Sequence, residues 1–338
     1  MRSRPYLSLA CISLVYCSAA LDLKGTFPMT ALTQAAPTQA KQRAQRRHMS
    51  DGALVRLFIF PTLIILILWN VFPLFYSLYL SFTRYSVIAN RAPEWVGFSN
   101  YTAILSRPTF WQSFATTGVY ALLSVSLQTV LGFGLAMLLR QKFKGSGFIT
   151  TLTLVPMMLS PVVVGMFWKL IYNPSYGIFN FLLNPTNPRL ATDMLAGPVS
   201  AMLAVVIVDV WMWTPFVLLL CLSGLNAIPD YLYEAAAIDR ASAWFQFRRI
   251  TLPQVAPLLL IAVLFRTIEA IKAFDLMMGL TGGGPGKSTE TVAIALYRLA
   301  FSGQFNTGQA SALAYIVLII IICISNVYIR YLNKLRGE

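Results

Sequence analysis

Charge is scarce in this chain, and so is the equipment of most enzymes. Only 11% of its 338 residues are charged, and the single histidine, His48, lies in a basic stretch where it reads as a solvated side chain. A His-dependent hydrolase and a paired-histidine zinc helix are thereby excluded. Four cysteines, Cys11, Cys17, Cys221 and Cys323, show no C-x-x-C spacing, so neither a zinc site nor a disulfide framework is indicated. No nucleophile stands beside a base in the pattern an intramembrane enzyme needs. The run TGGGPGKST misses the spacing G-x-x-x-x-G-K-[ST], so the chain has no loop of its own to cradle nucleotide phosphates.

What the chain does have is apolar mass. Hydrophobic residues make up 57% of it, more than a water-soluble domain can bury, and the class is integral membrane protein. Six segments are long enough to cross about 30 Å of hydrocarbon at about 1.5 Å per residue. They lie near 57–82, 114–139, 148–172, 198–223, 255–280 and 308–330. Their apolar runs lack the period-two alternation of barrel strands. The expected fold is therefore all-α, a six-transmembrane-helix core within a transmembrane domain at 49–338. Pro61 and Pro73 interrupt the first segment, Pro156 and Pro161 the third and Pro215 the fourth, which suits a bundle that bends.

The formal charge of +14 would suggest nucleic acid in a soluble chain, but here it reads as membrane orientation, and no nucleic-acid partner is expected. Cations concentrate before the first span (Lys41, Arg43, Arg46, Arg47), after the second (Arg140, Lys142, Lys144), after the fourth (Arg240, Arg248, Arg249) and at the C-terminus (Arg330, Lys334, Arg336). Both ends of the core are thus expected in the cytoplasm. Residues 1–48 form an N-terminal extension. Its run Leu7–Leu21, after Arg2 and Arg4, has the look of a signal-peptide core, followed by a basic flexible tail. Alternatively translation begins at Met29 or Met49 and the segment is absent from the mature protein; N-terminal mass spectrometry separates the two.

Between the fourth and fifth apolar runs lies a polar insert, residues 229–253, containing EAAAIDRASAWFQFRRITLP. Asp230 is placed to cap a short helix from Tyr231 to Ile238, with Glu234 near its first turn. A corner at Arg240 precedes a second amphipathic helix carrying Trp244, Phe247 and Ile250, and the chain re-enters the membrane at Pro253. The bland reading is a helix pair lying among lipid headgroups. Against it, Glu234, Ala235, Ala236, Ile250, Leu252 and Pro253 stand at the spacing of the EAA loop. The chain in this way resembles the membrane subunits of ATP-binding-cassette importers. One position departs from the pattern, which has glycine where this chain has Arg240.

The resemblance covers roughly residues 55–330 and includes LTGGGPGKSTET (Leu280 to Thr291), the run Pro156 to Asn180, and DVWMWTPF (Asp209 to Phe216). It is strongest to the carbohydrate-uptake branch, and within it to the type represented by the first maltose-permease subunit. The resemblance implies a plasma (inner) membrane subunit forming half of a path for a sugar or oligosaccharide. Its implied partners are a second permease subunit, two cytosolic ATPase subunits and an extracytoplasmic solute-binding protein. ATP and Mg²⁺ are then used by the ATPases, with no cofactor bound by this chain. ATPase coupling falls to Glu234, Ala235, Ala236, Asp239, Arg240, Ile250, Leu252 and Pro253.

Ionisable residues inside spans mark candidate path positions. Asp209 lies near the middle of the fourth span with Trp213 one turn on, an acceptor beside a ring that suits a sugar; the alternative is a structural hydrogen bond between helices. In the fifth segment Arg266, Glu269, Lys272 and Asp275 recur every three residues, either neutralising one another or lining a hydrophilic path. Gly282, Gly283, Gly284 and Pro285 form a tight external loop at its end. Uptake of glycerol-phosphate or a polyol fits the same motifs. An ion-coupled secondary transporter fits less well, since no two-half repeat is visible.

Overall fold

The computed structural model describes residues 51–89, 92–141, 143–183, 193–302 and 305–336, so the expectations for residues 1–48 lie outside the described residues. The chain divides into a short unit, of which the helical residues 51–62 are described, and a body that begins at Leu63. Among the described residues five helices are long and apolar enough to cross a membrane: Val55–Ser81, Pro108–Leu139, Pro198–Asn226, Ala243–Ile271 and Thr307–Leu335. A sixth span forms if the bent pair Ser146–Met158 and Pro161–Ile171, meeting at 96°, counts as one. We number these spans one to six in chain order, the bent pair being the third.

Proline explains where the helices deviate. Span one widens into a π-helical turn at Ile67–Val71, two residues before Pro73. Span five does the same at Phe247–Thr251, two residues before Pro253. A proline lacks the N–H that the carbonyl four residues back requires, and its ring crowds that carbonyl; a wide turn relieves both problems without ending the helix. In span three the outcome differs. Pro156 sits in a 3₁₀ turn, Leu159 and Ser160 are extended, and a new helix starts on Pro161, where a missing donor costs nothing.

These features correct two expected boundaries. The fifth helix does not begin after Pro253 but runs unbroken from Ala243, through the wide turn, to Ile271. It also stops there, and the apolar residues beyond form a separate helix, Asp275–Leu280, after a break at 272–274. That short helix packs against the second half of span three, and two glycines allow it. A Cβ on Gly165 would lie 2.7 Å from the Leu276 carbonyl oxygen, and one on Gly279 would lie 2.9 Å from that of Val162.

Span four is the axis of the body, packed against spans two and five. Gly132 of span two lets it approach closely, since a Cβ there would sit 2.7 Å from the Val217 Cβ. One buried cluster, including Tyr120, Tyr172, Met212 and Met277, joins spans two, three and four to the short helix. A second, including Ala136, Cys221, Leu225 and Val255, lies where the polar insert attaches. A third, at the opposite ends of the helices, joins Ile104, Phe110, Val292 and Leu313.

Candidate functional site

The first candidate site grows from three polar side chains in apolar helices. Gln128 of span two donates its Nε2 to Asp209 Oδ2 of span four at 2.7 Å and to the Asp209 carbonyl at 3.1 Å. Its Oε1 accepts from Arg266 Nε of span five at 2.8 Å. Arg266 Nη2 closes the ring onto the Asp209 carboxylate at 3.2 Å and 3.3 Å. All three residues are buried, at 0%, 2% and 3% exposure. An unpaired charge there is costly, so the carboxylate, amide and guanidinium hold one another and bind three spans at one point.

Asp209 and Arg266 of this knot line a cleft of about 100 Å³ together with Tyr120, Trp213, Glu269, Lys272 and Asp275. All five residues expected along the path therefore meet at one place, but in different states. Asp209 is occupied by Gln128 and Arg266, and the Trp213 ring is covered by the Arg266 guanidinium, 4.6 Å from its centroid. Glu269 and Lys272 pair at 2.7 Å with about half of each side chain exposed. Asp275 is exposed in the first turn of the short helix. The expected stripe from Arg266 to Asp275 does not continue as one helical face, because the helix ends at Ile271. Only its Glu269–Lys272 step forms an ion pair, since Arg266 turns to Asp209.

The glycine loop closes on itself rather than on the cleft. Arg298 donates to the Gly282 carbonyl at 2.8 Å and pairs with Glu290. Gly282 and Gly283 have φ of 60° and 87°, the left-handed region glycine enters without steric penalty. A Cβ on Gly283 would also lie 3.2 Å from Arg298 Nη2. The hydroxyls of Thr281 and Thr289 meet at 2.7 Å, and Thr289 Oγ1 donates to the Gly284 carbonyl at 2.7 Å, ahead of Pro285.

The second candidate site is the polar insert. Tyr231–Ile238 is helical with Glu234 in its first turn. Asp230 does not cap it: the residue is itself in the helical conformation, makes no side-chain cap bond, and lies 3.9 Å from Arg140 at the end of span two. The inward face is fixed by Tyr233, whose hydroxyl meets Thr251 Oγ1 at 2.9 Å and whose ring lies beneath the Arg140 guanidinium at 4.3 Å. Ala236 is buried, and Ile250 packs against the adjoining cluster. Glu234, Ala235, Asp239 and Pro253 are exposed, and Leu252 is half-buried.

The corner itself keeps a glycine's geometry without a glycine. Arg240 has φ of 52°. Its N–H reaches the Ala237 carbonyl at 3.0 Å, and that of Ala241 reaches the Ala236 carbonyl at 2.9 Å, the paired bonds that end a helix at a left-handed residue. Ser242 then caps the next helix by accepting from the Phe245 N–H at 3.3 Å.

Sequence reasoning missed Gln128, Tyr120, Arg140, Tyr233 and Thr251. For Gln128 a signal existed, a lone amide in the apolar run LLSVSLQTVLGF, which in lipid calls for a partner. Among the described residues no group of three or more His, Cys, Asp or Glu side chains is arranged to hold a metal ion.

Residues 128–335 match the family described as binding-protein-dependent transport system inner membrane component. The chain is 37% identical to the trehalose/maltose transport system permease protein of Thermococcus litoralis, across 80% of this chain and 91% of that protein. It is 33% identical to the sulfoquinovosyl glycerol transport system permease protein of Agrobacterium fabrum, across 84% and 92%. Its fold is similar to a chain of a bacterial alginate ABC transporter crystallised with an alginate pentasaccharide-bound periplasmic protein, with a TM-score of 0.70, 20% identity and coverage of 81% and 92%. The family model covers more than half of the sequence and takes in the last part of span two, spans three to six and the polar insert; the chain belongs to the inner membrane components of binding-protein-dependent transport systems.

Proposed function

We propose that this chain is the membrane-spanning subunit of an ATP-driven importer and forms half of the path for a sugar or oligosaccharide. A second permease subunit supplies the other half, an extracytoplasmic binding protein delivers the solute, and two cytosolic ATPases bind ATP and Mg²⁺. Both ends of the core then lie in the cytoplasm, in keeping with the cation bias. The saccharides named for the relatives support the substrate class.

One observation carries the coupling role. The helix at Tyr231–Ile238 has a fixed inner face, held by Arg140, Tyr233 and Thr251, and an outer face that presents Glu234, Ala235 and Ile238. Exposed apolar and charged groups on a rigid mount are what a docked partner needs. The following helix begins at Ala243, just past the corner, and continues to Ile271, so Arg266 lies on the same rod that the corner leads into. The residues from Ala243 to Arg266, at about 1.5 Å each, place the two ends about 35 Å apart. Movement of the corner by an ATPase thereby reaches the knot around Asp209, and the cleft above it, through a single helix. Within the cleft the exposed Glu269–Lys272 pair and Asp275 are the groups that reach sugar hydroxyls, while Asp209 and Trp213 set the position of Arg266.

Glu234→Lys tests the coupling role. The side chain is exposed, so the variant should insert and express normally while uptake and ATPase association are lost, because attraction becomes repulsion. Uptake at the wild-type rate with confirmed insertion overturns the assignment.

A further inference from the structure

We propose that Arg240 is a second docking point on the insert, pairing with an acidic side chain of the cytosolic ATPase; this rests on the reading of the chain as an ATPase-coupled permease. The argument starts from the backbone. A residue with φ of 52° is held where a Cβ crowds the backbone, and glycine would hold the same corner without that cost. The corner's two terminal bonds use only the backbone N–H groups of Arg240 and Ala241, so the guanidinium contributes nothing to them. Among the described residues the Arg240 side chain makes no hydrogen bond or ion pair, and it is exposed. A strained position whose side chain returns nothing within the fold points to a use outside it.

The surroundings specify the partner. Ile238, 83% exposed, lies between Glu234 on one side in sequence and Arg240 on the other. Within the helix Glu234 and Ile238 are four residues apart, about 6 Å along the axis, and Arg240 stands just past the helix end. These charges give the surface a direction: a partner must present bases to Glu234 and Asp239 and an acid to Arg240, and the reversed placement sets like charges together. A sheet of anionic headgroups would attract Arg240 together with the exposed Arg248 and Arg249, but it would repel Glu234 and Asp239, which are exposed on the short helix that Arg240 follows. A folded protein carrying both signs at fixed places satisfies all three.

The test uses the complete transporter, purified through the full-length chain and reconstituted in lipid nanodiscs. The readout is retention of the identified ATPase against rising salt. Arg240→Gly keeps the corner and removes only the guanidinium. It should leave thermal stability equal or raised, weaken ATPase retention about tenfold, and flatten its salt dependence. Arg240→Lys should retain the ATPase and, with a carbodiimide, form an amide cross-link to one of its aspartates or glutamates. Wild-type retention by Arg240→Gly, or the absence of any cross-link from Arg240→Lys, overturns the inference. So does a Gly effect that disappears when anionic lipid is left out of the nanodisc, which would assign the guanidinium to headgroups. If the wild-type chain retains no ATPase, the coupling reading fails before the variants are compared.

Discussion

Spans one and four are about equally apolar, yet they occupy opposite environments. None of the most apolar window of Val55–Ser81 is buried within the protein, whereas 61% of that of Pro198–Asn226 is. The difference lies in side-chain size rather than hydropathy. Span one carries Phe58, Phe60, Trp69, Phe72 and Phe75, all exposed. Span four buries Ala201, Ala204, Val205 and Val208, and its Gly224 lies where a Cβ would come within 2.8 Å of Leu258 Cδ1. In lipid an apolar side chain gains nothing by leaving the bilayer for another helix, so association depends on close packing and on polar contacts. Small residues and Asp209 make span four a centre; bulky aromatics make span one a rim.

Substitutions at three places sharpen this contrast. The largest effect belongs to the knot: Arg266→Met or Asp209→Ala alone strands a buried charge and should cost about 3 to 5 kcal/mol, while the double variant recovers much of the loss. Equilibrium unfolding of all three in detergent measures it, and additivity of the two losses would show that the side chains do not act together. An intermediate effect is expected for Gly132→Leu, which overfills the contact with Val217 and should cost about 1 to 3 kcal/mol by the same assay. The smallest belongs to Trp69→Ala on span one. With 79% of Trp69 exposed, its loss should change unfolding by less than about 0.5 kcal/mol, and a larger change would break the contrast.

Apolar runs made the helical class and the approximate spans readable, because each segment must satisfy its own backbone in lipid. The polar insert was readable because twenty positions of fixed spacing constrain it more than any propensity does. Local breaks were harder. Pro156 and Pro161 mark a disturbance in span three, but proline at Pro215 is absorbed within a continuous helix, so the residue alone does not tell a 96° bend from a tolerated kink. The stop at Ile271 has no marker, as AFDLMMGL continues the apolar pattern and the deciding contacts come from Gly165 in another span. In the site, Asp209 and Arg266 announce themselves as charges, but the choice of Arg266 for Asp209 over Glu269 is tertiary. So is the failure of Asp230 to cap, since its position beside Arg140 is set by where span two ends.

The unbroken helix from Ala243 to Ile271 has a mechanical consequence. Held by the knot at Arg266 and reaching the insert at Trp244, which is 67% exposed, it is under the proposed coupling role a lever with an arm of about 33 Å. A tilt of about 10° at the knot sweeps the far end by about one helical pitch. Read in the other direction, the arm attenuates: several ångströms of travel at the corner become a rotation small enough for Arg266 to turn against Asp209 and Gln128 without leaving them. The wide turn at Phe247–Thr251 lies near the end that the proposed coupling would drive, so compliance there is felt at the insert before it reaches the cleft.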